Sequence, residues 1–126
     1  MSRIGHNKPP LDPKETIKKN INRRKLIVDD GISKYKNIPL PTWIELSLID
    51  VCNRSCEFCP KSDSTIAPDT YQKMSRSLID KLYKDLKRIN YSGAVTLCGY
   101  GEPLLHKDIE YITKKLSKIS TVEVVT

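Results

Sequence analysis

The chain has 126 residues, of which 38% are hydrophobic and 29% charged, and its net charge is +7. This composition is typical of one globular domain and excludes a disordered chain. No stretch approaches the roughly 18 consecutive apolar residues of a membrane-spanning helix, and the cysteines are too clustered for a secreted disulfide framework. We therefore expect a cytoplasmic protein that has no membrane partner.

The positive charge is concentrated in residues 1–41. These contain ten Lys or Arg and four Asp or Glu, a net +6, whereas residues 42–126 contain twelve and eleven, a net +1. We treat the first range as a basic tail and helix that precede a domain in the second. A basic excess is most often a solvated helix face, although it can attract nucleic acid. Because no recognised nucleic-acid fold accompanies it, we do not expect a nucleic-acid partner.

The N-terminal segment is predicted to form a tail, a helix and a linker. Residues 1–11 are polar and include two consecutive prolines, which indicates a loose tail. Asp12 can cap a helix that has Pro13 at its first position, and Gly31 would end that helix. Residues 37–41 contain two prolines and predict a linker.

Three strands alternate with two helices in the rest of the chain. Residues 43–49 alternate apolar and polar side chains, as a strand does, and shorter strand-like runs follow at 94–98 and 122–125. Apolar positions recur every three or four residues within 78–89 and 109–119, as in amphipathic helices. This order, with connections of this length, predicts parallel pairing of the strands and right-handed crossovers.

Three thiols lie in one short loop directly after the first predicted strand. The spacing of Cys52, Cys56 and Cys59 lets all three sulfurs converge on one metal centre. Because three thiolates leave one iron of a 4Fe-4S cluster open, such a site would be reactive. The alternative is a structural zinc site completed by Cys98 or a histidine. Cys98 on its own is more typical of a buried packing residue.

Two motifs in this order resemble those of radical SAM enzymes. The first is Cys-x3-Cys-x2-Cys with an aromatic residue, Phe58, before the last cysteine. The second is Gly99-Tyr100-Gly101-Glu102-Pro103, which is similar to the Gly-Gly-Glu segment of the family. The resemblance covers about residues 41–126 and implies an α/β fold, a partial (β/α) barrel of TIM-like type preceded by the N-terminal helix. Because a closed barrel takes on the order of 200 residues, we expect this sequence to be truncated after the first three strands.

The resemblance also implies the cofactors and the residues that hold them. The three cysteines would ligate a 4Fe-4S cluster, whose reduced form cleaves S-adenosylmethionine (SAM) to a 5'-deoxyadenosyl radical that abstracts hydrogen from a substrate. Contacts to SAM would come from the backbone at Phe58 and from the methionine-binding segment at Gly99, Gly101 and Glu102. The glycines would let the backbone approach the ligand closely. A flavodoxin or ferredoxin would supply the electron, and the substrate would be a peptide or small metabolite, as in the SPASM-type subgroup.

The predicted topology brings the two motifs together independently of the resemblance. Both follow the carboxyl ends of successive parallel strands, which meet at one edge of a sheet. Of the other polar residues nearby, we expect His106 to start a helix. We expect Arg54 and Lys61 to be exposed, although their charge would be favourable near an anionic cluster or a SAM carboxylate. The competing function is a non-catalytic zinc-binding module whose basic arm contacts nucleic acid.

Overall fold

The computed structural model describes residues 12–29 and 33–126 of the chain. The chain divides into two units after Gly31. The predicted tail and the predicted helix stop at Gly31 lie outside the described residues. A functional division after residue 41 stays a prediction.

The first unit contains helix α1, Pro13–Asp29. Asp12 caps this helix: its Oδ1 atom accepts a hydrogen bond from the backbone N–H of Lys14 at 3.0 Å. The carbonyl of Asp12 also accepts the first helical hydrogen bond, from the N–H of Thr16 at 3.0 Å. The predicted cap is therefore confirmed, with proline at the first helical position, where its missing N–H has no cost.

The second unit begins with a small hairpin where a linker was predicted. Strand β1, Lys34–Tyr35, pairs antiparallel with strand β2, Ile38–Pro39. The two residues between them, Lys36 and Asn37, have φ angles of 48° and 67°. A turn with two positive φ angles matches the right-handed twist of short paired strands. The linker prediction was wrong here because Lys-Asn is not a typical hairpin signal and each strand has only two residues.

A three-stranded parallel sheet forms the centre of the second unit. Strands β3 (Trp43–Leu46), β4 (Ala94–Leu97) and β5 (Thr121–Val124) pair in the order β3-β4-β5. The predicted parallel pairing is confirmed. Strand β3 ends earlier than predicted, since Ile49 forms an isolated antiparallel bridge with Lys73 instead of continuing the ladder.

Two amphipathic helices connect the strands, as predicted. Helix α2 spans Arg76–Arg88 and helix α3 spans Ile109–Leu116. The hydroxyl of Ser75 caps α2 by accepting a hydrogen bond from the N–H of Leu78 at 3.2 Å. Shortly after α2, Asn90 has a φ of 52°, the left-handed conformation that terminates helices. In the described part of the chain, no helix combines the length and the apolar composition that a bilayer span requires.

The two faces of the sheet differ in character. The apolar face packs against α2 and α3, and its core consists of Leu48, Ile79, Leu86, Tyr91, Val95, Leu97, Ile112 and Leu116. On the other face, the strand register aligns Glu45, Thr96 and Glu123 in one row. Thr96 donates a hydrogen bond from its hydroxyl to Glu123 at 3.5 Å. The polar row confirms that alternate positions of β3 face away from the helices.

An ion pair joins the exposed sides of α2 and α3. Lys115 donates from Nζ to Asp80 Oδ1 at 2.6 Å, and the hydroxyl of Tyr111 donates to the same oxygen. The hydrogen bond from Lys115, followed by that from Tyr111, lowers the pKa of Asp80 below its ordinary value of 3.8. The same hydrogen bond to Asp80 is the main cause that raises the pKa of Lys115.

This pair predicts a pH-dependent effect of Asp80→Asn. A carboxyl whose pKa is lower in the folded state contributes stability above its unfolded pKa and loses it as the pH falls through the folded pKa. We expect Asp80→Asn to lower the Tm at pH 7, with the difference from the parent vanishing towards pH 2. Thermal unfolding between pH 2 and pH 7 measures this, with the exposed Glu57→Gln as control. A difference that is the same at every pH would contradict the assignment.

Candidate functional site

The three loop cysteines follow the carboxyl end of β3 and are free, half-buried thiols. The backbone turns tightly between the last two, where the N–H of Cys59 donates to the carbonyl of Cys56 at 2.9 Å. A short 3-10 helix, Pro60–Ser62, begins directly after Cys59. Ser62 donates to the carbonyl of Cys59 from both its N–H, at 3.0 Å, and its hydroxyl, at 2.8 Å. These hydrogen bonds give the end of the cysteine loop a defined shape.

The donor set of this loop is three free thiols on one ordered loop. Thiolates are ligands of both iron-sulfur clusters and structural zinc sites. Three of them fit a 4Fe-4S cluster that keeps one iron open, whereas a closed zinc site takes a fourth ligand. Among the described residues, no group of three His, Cys, Asp or Glu side chains is placed to hold a single metal ion.

A polar clasp, consisting of Asp50, Lys61, Asp69 and Thr70, closes the base of the cysteine loop. Lys61 forms an ion pair with Asp69, and its side chain is only 4% exposed. Asp50 Oδ2 accepts hydrogen bonds from Thr70, from the N–H at 2.8 Å and from the hydroxyl. These bonds, chiefly the one from the hydroxyl, lower the pKa of Asp50, and Lys61 adds to the effect. The prediction that Lys61 is exposed was wrong.

The chain after the cysteine loop is mostly exposed, and its far end returns to the end of β3. The N–H of Asp50 donates to the carbonyl of Gln72 at 3.2 Å, and the N–H of Met74 donates to the carbonyl of Leu48 at 2.9 Å. This exposed segment, residues 61–72, is therefore anchored at both ends. The clasp and this pairing together fix the two ends of the cysteine loop.

We expect Lys61→Met to destabilise the protein by about 1–3 kcal/mol. Removing one partner of a fully buried ion pair costs about 3–5 kcal/mol, and Asp69 retains 34% exposure, which reduces the penalty. Urea unfolding of the cluster-free protein measures the change. The matched control is Lys114→Met, because Lys114 pairs with Glu110 at 2.6 Å with both side chains more than 70% exposed. Equal effects of the two substitutions would contradict a stabilising clasp.

The second motif forms a tight turn that packs against the end of β3. Gly99 has a φ of 119°, and a Cβ atom there would lie 2.6 Å from Ser47 Cβ. A Cβ atom on Gly101 would collide with the carbonyl oxygen of Ile49 and lie 2.6 Å from its carbonyl carbon. The glycines are thus required by neighbouring protein atoms, and the close approach to a ligand that the resemblance implies stays a prediction.

Glu102 joins the glycine turn to the cysteine loop. Its backbone N–H donates to the carbonyl of Val51, next to the first cysteine, at 2.9 Å. Its Oε1 atom accepts from the N–H of Leu104 at 3.1 Å, and its Oε2 atom lies 3.4 Å from Arg54 Nε. Arg54 is exposed, as predicted, and also forms this ion pair. The structure therefore brings the two sequence motifs together, as the topology predicted.

Phe58, which is predicted to lie near the adenine, is exposed to solvent, unlike the buried part of the site. It is 91% exposed, and Tyr100 in the glycine turn is also exposed. Aromatic rings that are exposed on a loop are available to pack against a planar ligand. The role of Phe58 beside the adenine stays a prediction.

Two other polar residues near the motifs have structural partners. His106 was predicted to start a helix, but it does not start α3 and instead follows the short 3-10 helix Pro103–Leu105. It is buried: its Nδ1 atom accepts from the N–H of Asp108 at 3.1 Å, while Nε2 lies 2.9 Å from the carbonyl of Met74. These contacts assign the proton to Nε2. Cys98 is half-buried at the end of β4, and burial, followed by the charge of Glu45, raises the pKa of its thiol. A protonated thiol fits a packing role.

The fold and the site define a class of protein. It is an α/β domain in which a loop with three thiols and a glycine-glutamate turn follow the carboxyl ends of two adjacent parallel strands. The family profile of the Radical SAM superfamily matches residues 46–126. The chain belongs to this superfamily.

Similar proteins include named enzymes and a solved structure. The S-adenosyl-L-methionine-dependent 2-deoxy-scyllo-inosamine dehydrogenase of Niallia circulans is 34% identical over 69 residues, which are 55% of this chain and 27% of that enzyme. The GTP 3',8-cyclase of Staphylococcus aureus (strain JH9) is 33% identical over 91 residues, 64% of this chain and 24% of that enzyme. The chain spans about a quarter of the length of these two curated relatives.

The structure of BtrN in complex with AdoMet and 2-DOIA superposes with a TM-score of 0.60 and 26% sequence identity. The match covers 68% of this chain and 35% of the BtrN chain. The α/β arrangement described above is therefore similar to that of a SAM-binding member of the superfamily.

Proposed function

We propose that this chain is the part of a radical SAM enzyme that holds a 4Fe-4S cluster and SAM. The observation that carries the proposal is the junction of the two motifs, where the N–H of Glu102 donates to the carbonyl of Val51 at 2.9 Å. One cofactor that ligates the open iron could therefore also reach the glycine turn. Membership of the superfamily and the AdoMet bound to BtrN support this assignment.

The proposal gives each motif residue a role. The ligands of the cluster are Cys52, Cys56 and Cys59. The residues that contact SAM are Phe58, Gly99, Gly101 and Glu102. Because the clasp and the glycine contacts order these loops before any ligand binds, little conformational freedom is lost on binding.

The chemistry belongs to the cofactors, and this chain positions them. When bound and reduced, the cluster would give one electron to SAM, which would yield methionine and a 5'-deoxyadenosyl radical that takes a hydrogen atom from a substrate. The chain's thiols hold the cluster, and its glycine turn orients SAM. We propose a flavodoxin or ferredoxin as reductant, a peptide or small metabolite as substrate, and the cytoplasm as location.

We also propose that the three parallel strands belong to a partial (β/α) barrel. The polar row of Glu45, Thr96 and Glu123, on the sheet face opposite the helices, would then point to the barrel interior. Polar side chains are tolerated in such an interior when it binds a ligand.

Anaerobic reconstitution with iron and sulfide tests the proposal. We expect about four irons and four acid-labile sulfides per chain, and an electron paramagnetic resonance (EPR) signal of the reduced protein that changes when SAM is added. One tightly bound zinc per chain, without sulfide, would instead support the zinc-binding module. A cluster signal that SAM leaves unchanged would contradict the open iron.

A further inference from the structure

We infer that Arg54 is a positioning residue for SAM: it holds the carboxylate of Glu102 and thereby fixes the glycine turn relative to the cysteine loop. The inference rests on the proposed function. It assigns Arg54 no contact with SAM or with the cluster.

The environment of Glu102 makes this pair different from an ordinary surface ion pair. The Glu102 side chain is 6% exposed, and Arg54 Nε lies 3.4 Å from its Oε2 atom. The other carboxylate oxygen, Oε1, already accepts from the N–H of Leu104 at 3.1 Å. A carboxylate this buried needs both hydrogen bonds and a compensating positive charge. Arg54 supplies that charge from outside the turn.

Because of where Arg54 lies in the chain, its ion pair links the cysteine loop to the glycine turn. Arg54 lies between the first two loop cysteines, and Glu102 ends the glycine turn. The ion pair therefore runs alongside the backbone hydrogen bond from Glu102 to Val51. Two parallel links between the loops resist rotation as well as separation, whereas one hydrogen bond resists mainly separation. A ligand that must reach both loops at once depends on that fixed geometry.

The pair should therefore affect SAM binding more than cluster binding. The cysteines remain in place when Arg54 is replaced, so the cluster has all its thiolate ligands. The glycine turn loses its second link, and a ligand that spans both loops meets a less ordered site. For residues that orient metal ligands, such a loss typically costs about 10–100-fold in affinity, and we expect the lower end of that range for SAM.

The test uses Arg54→Gln and Arg54→Lys in the reconstituted full chain. The dissociation constant of SAM is measured by titrating SAM into the reduced protein, with the EPR signal of the cluster as the readout. We expect Arg54→Gln to raise this Kd about tenfold, with iron content unchanged. Arg54→Lys should restore part of the affinity, because lysine keeps the charge but not the planar guanidinium.

Arg76→Gln is the matched control. The Arg76 side chain is 60% exposed and its partner Asp108 is 11% exposed, compared with 57% and 6% for Arg54 and Glu102. Arg76 begins α2 and lies outside both motifs. We expect both glutamine variants of the cluster-free protein to have a lower Tm, but only Arg54→Gln to weaken SAM binding.

The outcomes separate this inference from the proposed function. A parent protein that takes up a cluster and binds SAM, together with an Arg54→Gln variant of unchanged Kd, overturns only the role of Arg54. Loss of iron from Arg54→Gln also overturns it, because Arg54 would then support the cysteine loop itself. A parent that takes up no cluster overturns the proposed function and this inference with it. If Arg54→Gln does not fold, a raised Kd in Arg54→Lys supports the inference and an unchanged Kd overturns it.

Discussion

Replacing Cys56 with serine is expected to abolish the iron-sulfur cluster. Serine has a neutral hydroxyl that does not replace a thiolate, and the two remaining thiolates cannot hold four irons. The iron content after anaerobic reconstitution should fall from about four per chain to below about one. Iron and sulfide analysis, together with the EPR signal of the reduced protein, measures this loss.

Cys98→Ser is the control for this substitution. Cys98 is the only other cysteine in the sequence, and it lies at the end of β4 with a pKa that burial raises. We expect Cys98→Ser to retain its full iron content. If both serine variants lost metal equally, Cys98 would be a fourth ligand and the centre would be closed, as a structural zinc site is.

Replacing Gly101 with alanine is expected to destabilise the protein by about 2–4 kcal/mol. Overpacking usually costs about 1–3 kcal/mol, and here the added methyl group would collide with the backbone carbonyl of Ile49, which cannot move aside as a side chain can. Displacement of the turn would also break the hydrogen bond from Glu102 to Val51. Urea unfolding measures the change in the free energy of unfolding.

The control is Tyr100→Ala, at the exposed position between the two glycines. It changes the same turn without adding a group towards β3, so we expect a change within about 0.5 kcal/mol. SAM binding should be lost in Gly101→Ala even under conditions where that variant is folded. A Gly101→Ala variant with parental stability would show that the turn does not pack against Ile49 as described.

The secondary structure of the sheet and its helices could be predicted because its signals are local. Alternation in β3 and three-to-four-residue spacing in α2 and α3 come directly from which face of each element is buried. The parallel order then followed from the connection lengths. The hairpin at residues 34–39 was missed because two-residue strands are too short to carry a pattern.

The composition of the site could be predicted only in part. The motifs identified the three cysteines and the glycine turn, since their spacing is itself the signal. The partners of Lys61 and Arg54 could not be found, because Asp69 and Glu102 reach them through tertiary folding and no local pattern marks such pairs. The contacts of the two glycines with Ser47 and Ile49 could not be predicted either, because they depend on where the chain after β3 passes.

The central claim is that one SAM molecule binds both the cluster and the glycine turn. It is tested most directly by asking whether the amino group of SAM ligates the cluster in this chain. Electron-nuclear double resonance of the reduced, reconstituted protein with SAM labelled by 15N at that amino group answers this. We expect a 15N hyperfine coupling from direct ligation of the open iron, and its loss in Gly101→Ala. An intact 4Fe-4S signal without any 15N coupling at saturating SAM would contradict a shared site for the two motifs.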